Sequence, residues 1–460
     1  MTELIGEALR KDPRIEQGKR LLLEGLSDYS SKLTEIKKPN PELVPQYLET
    51  LDAFEKARGG KLWFPYIGSG IGNGPFVELL DGSVKFDFIS GIGPHFFGHS
   101  YPKLIEAGID AALGNTAMQG HLQQNKEGLL LSQKLIEASG LDHCFLTTSG
   151  AMANENALKI AFQKKSPASR LLAFEKCFAG RTLALSDVSD KPSFREGLPK
   201  TLEVDYIPYY NEKDPEASLK RSIEALEKHI QAHPGKHAAM LLELVQGEGG
   251  IYPGAESFFK PLLHFLKKHG ILVIFDEIQT FARTEALFAF QHFNLDEFAD
   301  IVTVGKVSQV CATLYKNPVM PRPGLLSQTF TGSTASLYIA NTILDLLKGG
   351  EWFGPKGKNA QIHYYFSKLL KEMEKKKPHL ISGPYGIGSM VAFTPFQGDQ
   401  KRVLPFVTAL FHAGVITFTS GVSPMRVRML VPAGAVTFHQ IDQVVSIIDK
   451  VLDDVSLSAS

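Results

Sequence analysis

Cysteine is scarce in this chain: Cys144, Cys177 and Cys311 are the three in 460 residues. They lie far apart without metal-ligand spacing, and three cannot all pair within one chain, which excludes a disulfide scaffold and points to a reducing cytosol. A dominant charge is missing as well. Lys plus Arg and Asp plus Glu each total 49, so no long-range field exists to hold nucleic acid or an anionic membrane. No apolar run approaches the ~18 residues that argue for a membrane span. The opening stretch MTELIGEALRKDPRIEQGKR has no apolar core of signal-peptide type and too many acids for a transit peptide. Internal repeats and low-complexity tracts are absent. So is a Gly-x-Gly-x-x-Gly turn between a strand and a helix, which argues against a nicotinamide dehydrogenase. These absences leave small-molecule chemistry in the cytoplasm, with no metal centre, as the expectation.

What is present reads as a globular enzyme, at 43% hydrophobic and 21% charged residues. The length exceeds what one compact core accommodates, so a large domain with smaller partners is expected. Residues 1–74 read as an N-terminal helical arm, interrupted by KKPNPEL around Pro39 and Pro41. A large domain is expected over 75–345. It opens with PFVELLDGSVKFDFISGIG, whose two short strand-like runs flank an Asp81-Gly82 turn. Helical stretches then alternate with the buried-strand candidates HCFLTT, RLLAFE, AAMLLEL, ILVIFDE and DIVTVGK. That alternation predicts an α/β fold with a mostly parallel sheet wrapped by helices. Over 346–460 a lysine-rich helix gives way to GSMVAFTPF, VITFTS and RVRMLVP and a final helix, a smaller α+β domain.

Ligands of such sheets bind outside the carboxyl ends of the strands. The run ILVIF delivers Asp276 and Glu277 there, and a buried carboxylate needs a partner cation or a task. The run ADIVTVGK delivers Lys306 in the same way, 306 − 276 = 30 residues later. A lysine at the end of a buried strand can lose its charge through desolvation and act as an amine nucleophile. Taken singly, a strand ending in solvent and an exposed loop lysine explain these residues as well. Together they match what pyridoxal phosphate needs, an anchoring lysine and an acid facing its ring nitrogen. In TTSGAMANENALKIAF, Ser149 and Gly150 open an amphipathic helix whose N–H groups suit a phosphate, although ordinary capping gives the same pattern.

In order along the chain, DGSVKFDFISGIG with GHSYP, TSGAMANENALK, FAGRT, LELVQGEGG, FDEIQT, DIVTVGK, QTFTG and RVRMLVP resemble the class III, ω-amino-acid branch of fold-type I pyridoxal-phosphate aminotransferases. The likeness runs from about Pro75 to Asp442. It implies that Lys306 anchors the cofactor and moves the substrate proton, and that Asp276 keeps the pyridine nitrogen protonated. Gln279 falls near the cofactor's phenolic oxygen, Phe178 stacks on its ring, and Ser149, Gly150 and Ala151 form the phosphate turn. Thr329 matches the threonine that reaches the phosphate from the neighbouring subunit, so a homodimer with shared sites is implied.

For the substrates, Arg181 resembles the arginine that takes the carboxylate remote from the reacting amine. Arg428 resembles the one that receives the α-carboxylate of glutamate or 2-oxoglutarate, with Arg426 an alternative two positions away. Glu248 resembles the acid that pairs with that arginine while an ω-amine donor is bound. The implied reaction moves the terminal amine of lysine, 4-aminobutyrate, ornithine or acetylornithine to 2-oxoglutarate in two half-reactions. Departures from the family pattern are Met152, Leu244, Ala179, a shortened stretch TFARTEA after Gln279, and VSQVCATLY after Lys306, all of which bear on the pocket and so on substrate choice. An aminomutase or racemase on the same scaffold, or a non-catalytic cofactor-binding relative, are the competing readings. Arg428 and Glu248 disfavour the first, and Lys306, Asp276, Gln279 and Arg181 the second.

Overall fold

The computed structural model describes residues 3–115, 118–120 and 122–457. By its contacts the chain divides into two units, one of residues 1–114, 362–385 and 389–460, the other of residues 115–361 and 386–388.

The second unit is built on a seven-stranded sheet of β1 (His143–Thr147), β2 (Arg170–Phe174), β3 (Glu203–Ile207), β4 (His237–Leu242), β5 (Leu272–Glu277), β6 (Ile301–Val304) and β7 (Cys311–Tyr315). Their spatial order is β1-β7-β6-β5-β4-β2-β3. Pairing is parallel except for β7, which runs antiparallel to both β6 and β1. The expected mostly parallel sheet is therefore present. The segment after Lys306, read only as an altered stretch, supplies its antiparallel strand, and β3 is a strand that no sequence pattern announced. β4, β5 and β6 are buried at every position, as continuous apolar runs are when both faces of a sheet are covered. The helix Gly150–Lys165 lays Ala157, Leu158, Ile160 and Ala161 against Leu171, Ala173, Ala239, Leu241, Ile274 and Ile301. The helix Glu256–Lys268 buries Phe258, Phe259, Leu262, Leu263 and Leu266, an apolar stripe at helical spacing.

The first unit opens with helices Ile5–Arg10, Pro13–Ser30 and Val44–Arg58. The hairpin expected at Asp81-Gly82 is formed by Phe76–Leu79 and Val84–Asp87, and Gly82 takes the left-handed φ of 75° that the turn requires. A four-stranded sheet contains Ile381–Ile387, Met390–Pro395, Phe418–Ser420 and Arg426–Leu430, followed by the helix Phe438–Leu457.

Candidate active site

The site of the second unit is assembled where β1, β2, β4, β5 and β6 end. A cavity of about 410 Å³ is lined there by Gly150, Ala151, Asn154, Phe178, Ala179, Gly180, Arg181, Glu243, Asp276, Gln279, Lys306 and Cys311, among others. These strands contribute residues at or just past their carboxyl ends, the place where open α/β sheets bind ligands.

β5 carries Asp276 into the cavity wall. Its Oδ1 accepts from Ile278 N at 2.9 Å and its Oδ2 from Asn154 Nδ2 at 2.8 Å. Burial pushes this carboxyl up to about 6, while the two hydrogen bonds and the positive charge of Lys306 act in the opposite direction. Glu277 faces elsewhere. It accepts from Ala289 N, Phe290 N and the Thr280 hydroxyl, and burial raises it to about 7. Of the two neighbouring acids, then, one is consumed in holding the Ala289–His292 turn of helix and one is presented to the cavity.

Lys306 lies two residues past β6 and adopts a φ of 52°, a left-handed conformation uncommon outside glycine. It is half-buried rather than a free loop lysine. The pairing of Asp276 with Thr303 fixes how far apart the ends of β5 and β6 lie. The preceding Gly305 has no room for a side chain, since a Cβ there would stand 2.9 Å from Cys311 Sγ and 3.1 Å from Ile278 Cδ1.

Asn154 ties the wall together. Besides Asp276 it donates to Ala179 O at 2.7 Å, and its Oδ1 accepts from the Thr303 hydroxyl at 2.7 Å. Glu243, just past β4, accepts from Phe178 N and Gly247 N, both at 2.9 Å. Burial, reinforced by the charge of Asp276, raises Glu243 to about 8. Sequence reading missed both as site residues. The signal available was their type, since a polar side chain on the core face of a helix or at the end of a buried strand calls for partners.

Gln279 has a buried Oε1 with no hydrogen-bond partner among the described residues, and Gly247 packs so closely that a Cβ there would fall 2.3 Å from it. Arg181 lies 3.9 Å from the Phe194 ring centroid, and that ring meets Phe178 edge-on at 6.0 Å. Gly150 and Ala151 line the cavity. The Ser149 hydroxyl instead accepts from Met152 N at 3.2 Å, an ordinary helix cap. Thr329 is exposed and is not among the lining residues. Glu248 pairs with Lys191 at 3.3 Å. Arg428 belongs to the other unit, on the strand Arg426–Leu430, where it lies buried with its guanidinium 5.4 Å from the Phe418 ring; Arg426 sits 3.4 Å from Tyr385.

Residues 69–452 match the class-III aminotransferase family. The chain belongs to that family. An acetylornithine aminotransferase of Methanocaldococcus jannaschii is 29% identical over 402 residues, covering 84% of this chain and 93% of the relative. An acetylornithine/succinyldiaminopimelate aminotransferase of Photorhabdus laumondii is 30% identical, covering 60% of this chain and 68% of the relative. Among solved structures, the lysine aminotransferase of M. tuberculosis superposes with a TM-score of 0.80 at 22% identity, over 88% of this chain and 99% of that one. The ornithine aminotransferase of Toxoplasma gondii does so at 0.78 and 23%, over 92% and 100%.

This class-III aminotransferase is accordingly a pyridoxal-phosphate-dependent transaminase of fold type I, acting on an amino donor and a keto acid. The cavity fits the cofactor. It offers an amine, a buried carboxyl suited to a cationic ring nitrogen, an acceptor atom left without a partner among the described residues, and the N-terminus of a sixteen-residue helix for a phosphate. Among the described residues no group of His, Cys, Asp and Glu could hold a metal ion, and no helix is long and apolar enough to cross a membrane.

Proposed function

We propose that this aminotransferase moves the terminal amine of an ω-amino acid of the lysine, ornithine, acetylornithine or 4-aminobutyrate type to 2-oxoglutarate, by ping-pong kinetics, as a cytoplasmic homodimer. The observation that carries this reading is Arg181. Its guanidinium lies on the same cavity as Lys306 and Asp276 and is held against the Phe194 ring, suited to fork onto a carboxylate distant from the reacting amine. The names of the relatives support the same donor class.

Pyridoxal phosphate supplies an electrophilic carbon and a ring that takes up the electron pair released when the C–H bond beside the amine breaks. Lys306 would anchor it, and its Nζ, once released by substrate, would take the proton from that carbon and return it elsewhere. The ionised Asp276, held by Asn154 and Ile278 N, would keep a proton on the ring nitrogen. The Gln279 side-chain N–H would donate to the phenolic oxygen. Phe178 would cover the ring face. The N-terminus at Ser149, Gly150 and Ala151 would receive the phosphate, with Thr329 of a second copy contributing from across the dimer. Glu248 would neutralise Arg428 while an ω-amine donor is present and release it to the α-carboxylate of the keto acid.

The test is the visible absorbance of the protein with pyridoxal phosphate, recorded with lysine, 4-aminobutyrate, ornithine and N-acetylornithine separately. The expected result is loss of the bound-cofactor band with one donor and its return with 2-oxoglutarate. A band that responds only to α-amino acids, or that persists unchanged in Lys306→Ala, overturns the reading.

A further inference from the structure

Glu243 lines the cavity that holds Lys306 and Asp276, yet the reaction described above gives it no task. It stands one residue past β4, buried, and offers each carboxyl oxygen to a different loop. Oε1 accepts from Phe178 N and Oε2 from Gly247 N, both at 2.9 Å. The two loops are also fastened to each other. Gln246 Nε2 donates to Glu175 O at 2.7 Å, and Gly249 lies so close to the first loop that a Cβ there would stand 2.7 Å from Lys176 O. Each loop bears on a different part of the cavity. Phe178 lines it directly, whereas Gly247 acts through Gln279, whose amide oxygen would lie 2.3 Å from a Cβ on Gly247. One carboxyl thus stands behind both lining side chains. Burial and the charge of Asp276 raise it to about 8, and the two N–H donors oppose that rise.

We propose that Glu243 is a positioning residue that sets Phe178 and Gln279 against the cofactor together, by clasping the loops behind them. This rests on the reading of Phe178 as the cover of the ring face and of Gln279 as the donor to the phenolic oxygen. A carboxyl group is rigid and planar, so its two oxygens fix the spacing of the two N–H groups they receive. Displacement of one loop is thereby passed to the other, and loss of either hydrogen bond loosens both contacts with the cofactor.

The experiment titrates the full-length, cofactor-free protein with pyridoxal phosphate, reading affinity by fluorescence and the absorbance maximum of the bound cofactor. Glu243→Gln keeps the size of the side chain and one acceptor but turns an NH2 group towards one of the two N–H donors. It is expected to raise the dissociation constant about 5-fold, as for loss of one hydrogen bond, and to move the absorbance maximum. Glu243→Asp, one methylene too short to span both N–H groups, should move both readouts in the same direction. Phe178→Ala keeps the backbone N–H that Glu243 holds and removes only the ring, so in that background the effect of Glu243→Gln on affinity should shrink. In a Gln279→Ala background its effect on the spectrum should shrink likewise, whereas a role confined to folding would leave both effects at full size. Undiminished effects in these backgrounds overturn the proposal. So does a lowered melting temperature with affinity and spectrum unchanged, or a Glu243→Asp protein indistinguishable from wild type. If Phe178→Ala and Gln279→Ala on their own change neither affinity nor spectrum, the parent reading of those two residues fails, whatever Glu243 does.

Discussion

Asn154 Nδ2 donates to Asp276 Oδ2 at 2.8 Å, joining a helix to the end of a strand 122 residues further along the chain. The same amide group accepts from Thr303 on β6 and donates to Ala179 O beside Phe178. One side chain thereby sets the orientation of the acid, the adjoining strand and the loop that bears Arg181.

Asn154→Ala is expected to weaken cofactor binding about 10- to 100-fold, since a hydrogen bond to a charged group contributes roughly 1.5–3 kcal/mol. Thr303→Ala, which only frees the amide to turn, should move it in the same direction by less. Fluorescence titration with pyridoxal phosphate measures both. A lower melting temperature with unchanged affinity would reduce Asn154 to a packing residue.

Asp276 and Glu277 are neighbours with separable duties. Glu277→Ala leaves Ala289 N, Phe290 N and the Thr280 hydroxyl without their acceptor and should cost about 3 kcal/mol of stability. Asp276→Ala removes a carboxylate whose charged form burial disfavours and should abolish turnover while leaving the cofactor-free protein at least as stable. Denaturant unfolding and activity, measured on both variants, would contradict this if the two lost the same property.

The buried acids predict an unusual pH profile for the cofactor-free protein. Glu243 and Glu277 are raised to about 8 and about 7, above the ~4 of an unfolded glutamate. The native state thus retains protons that the unfolded chain has lost, and stability falls as pH rises towards 8. His237 and His292, both lowered by burial, act in the opposite sense below about pH 6.5. Asp12 and Asp205, near 2, act only in stronger acid. Melting temperatures should therefore decline between about pH 6.5 and 8, and Glu243→Gln should flatten the decline. A wild-type profile that rises over this interval would be decisive against the buried-acid account.

Gly247→Ala tests the packing around Gln279. A Cβ at 247 meets the Gln279 amide at 2.3 Å, the far end of a flexible side chain, which must turn away. The expected result is a shifted absorbance maximum of the bound cofactor with a melting temperature near wild type. An unaltered spectrum would show that the Gln279 amide has no bearing on the cofactor.

Much of the site was legible in the linear chain because its elements are local. Apolar runs such as ILVIF and DIVTV are strands by composition, and the residues just past them, Asp276 and Lys306, stand at a sheet's carboxyl edge wherever the strands are parallel. The hairpin at Asp81-Gly82 and the helix capped by Ser149 are local in the same sense. The tertiary structure alone decided which ends adjoin. The spatial order β1-β7-β6-β5-β4-β2-β3, with Cys311–Tyr315 inserted antiparallel, depends on packing between distant segments. It brings Asn154 to Asp276, Glu243 to the Phe178 N–H and Lys191 to Glu248 across 122, 65 and 57 residues. The first two contacts satisfy buried polar groups whose cost arises only once the sheet is packed around them, and the third joins two partly exposed charges from distant segments, so no local pattern records them.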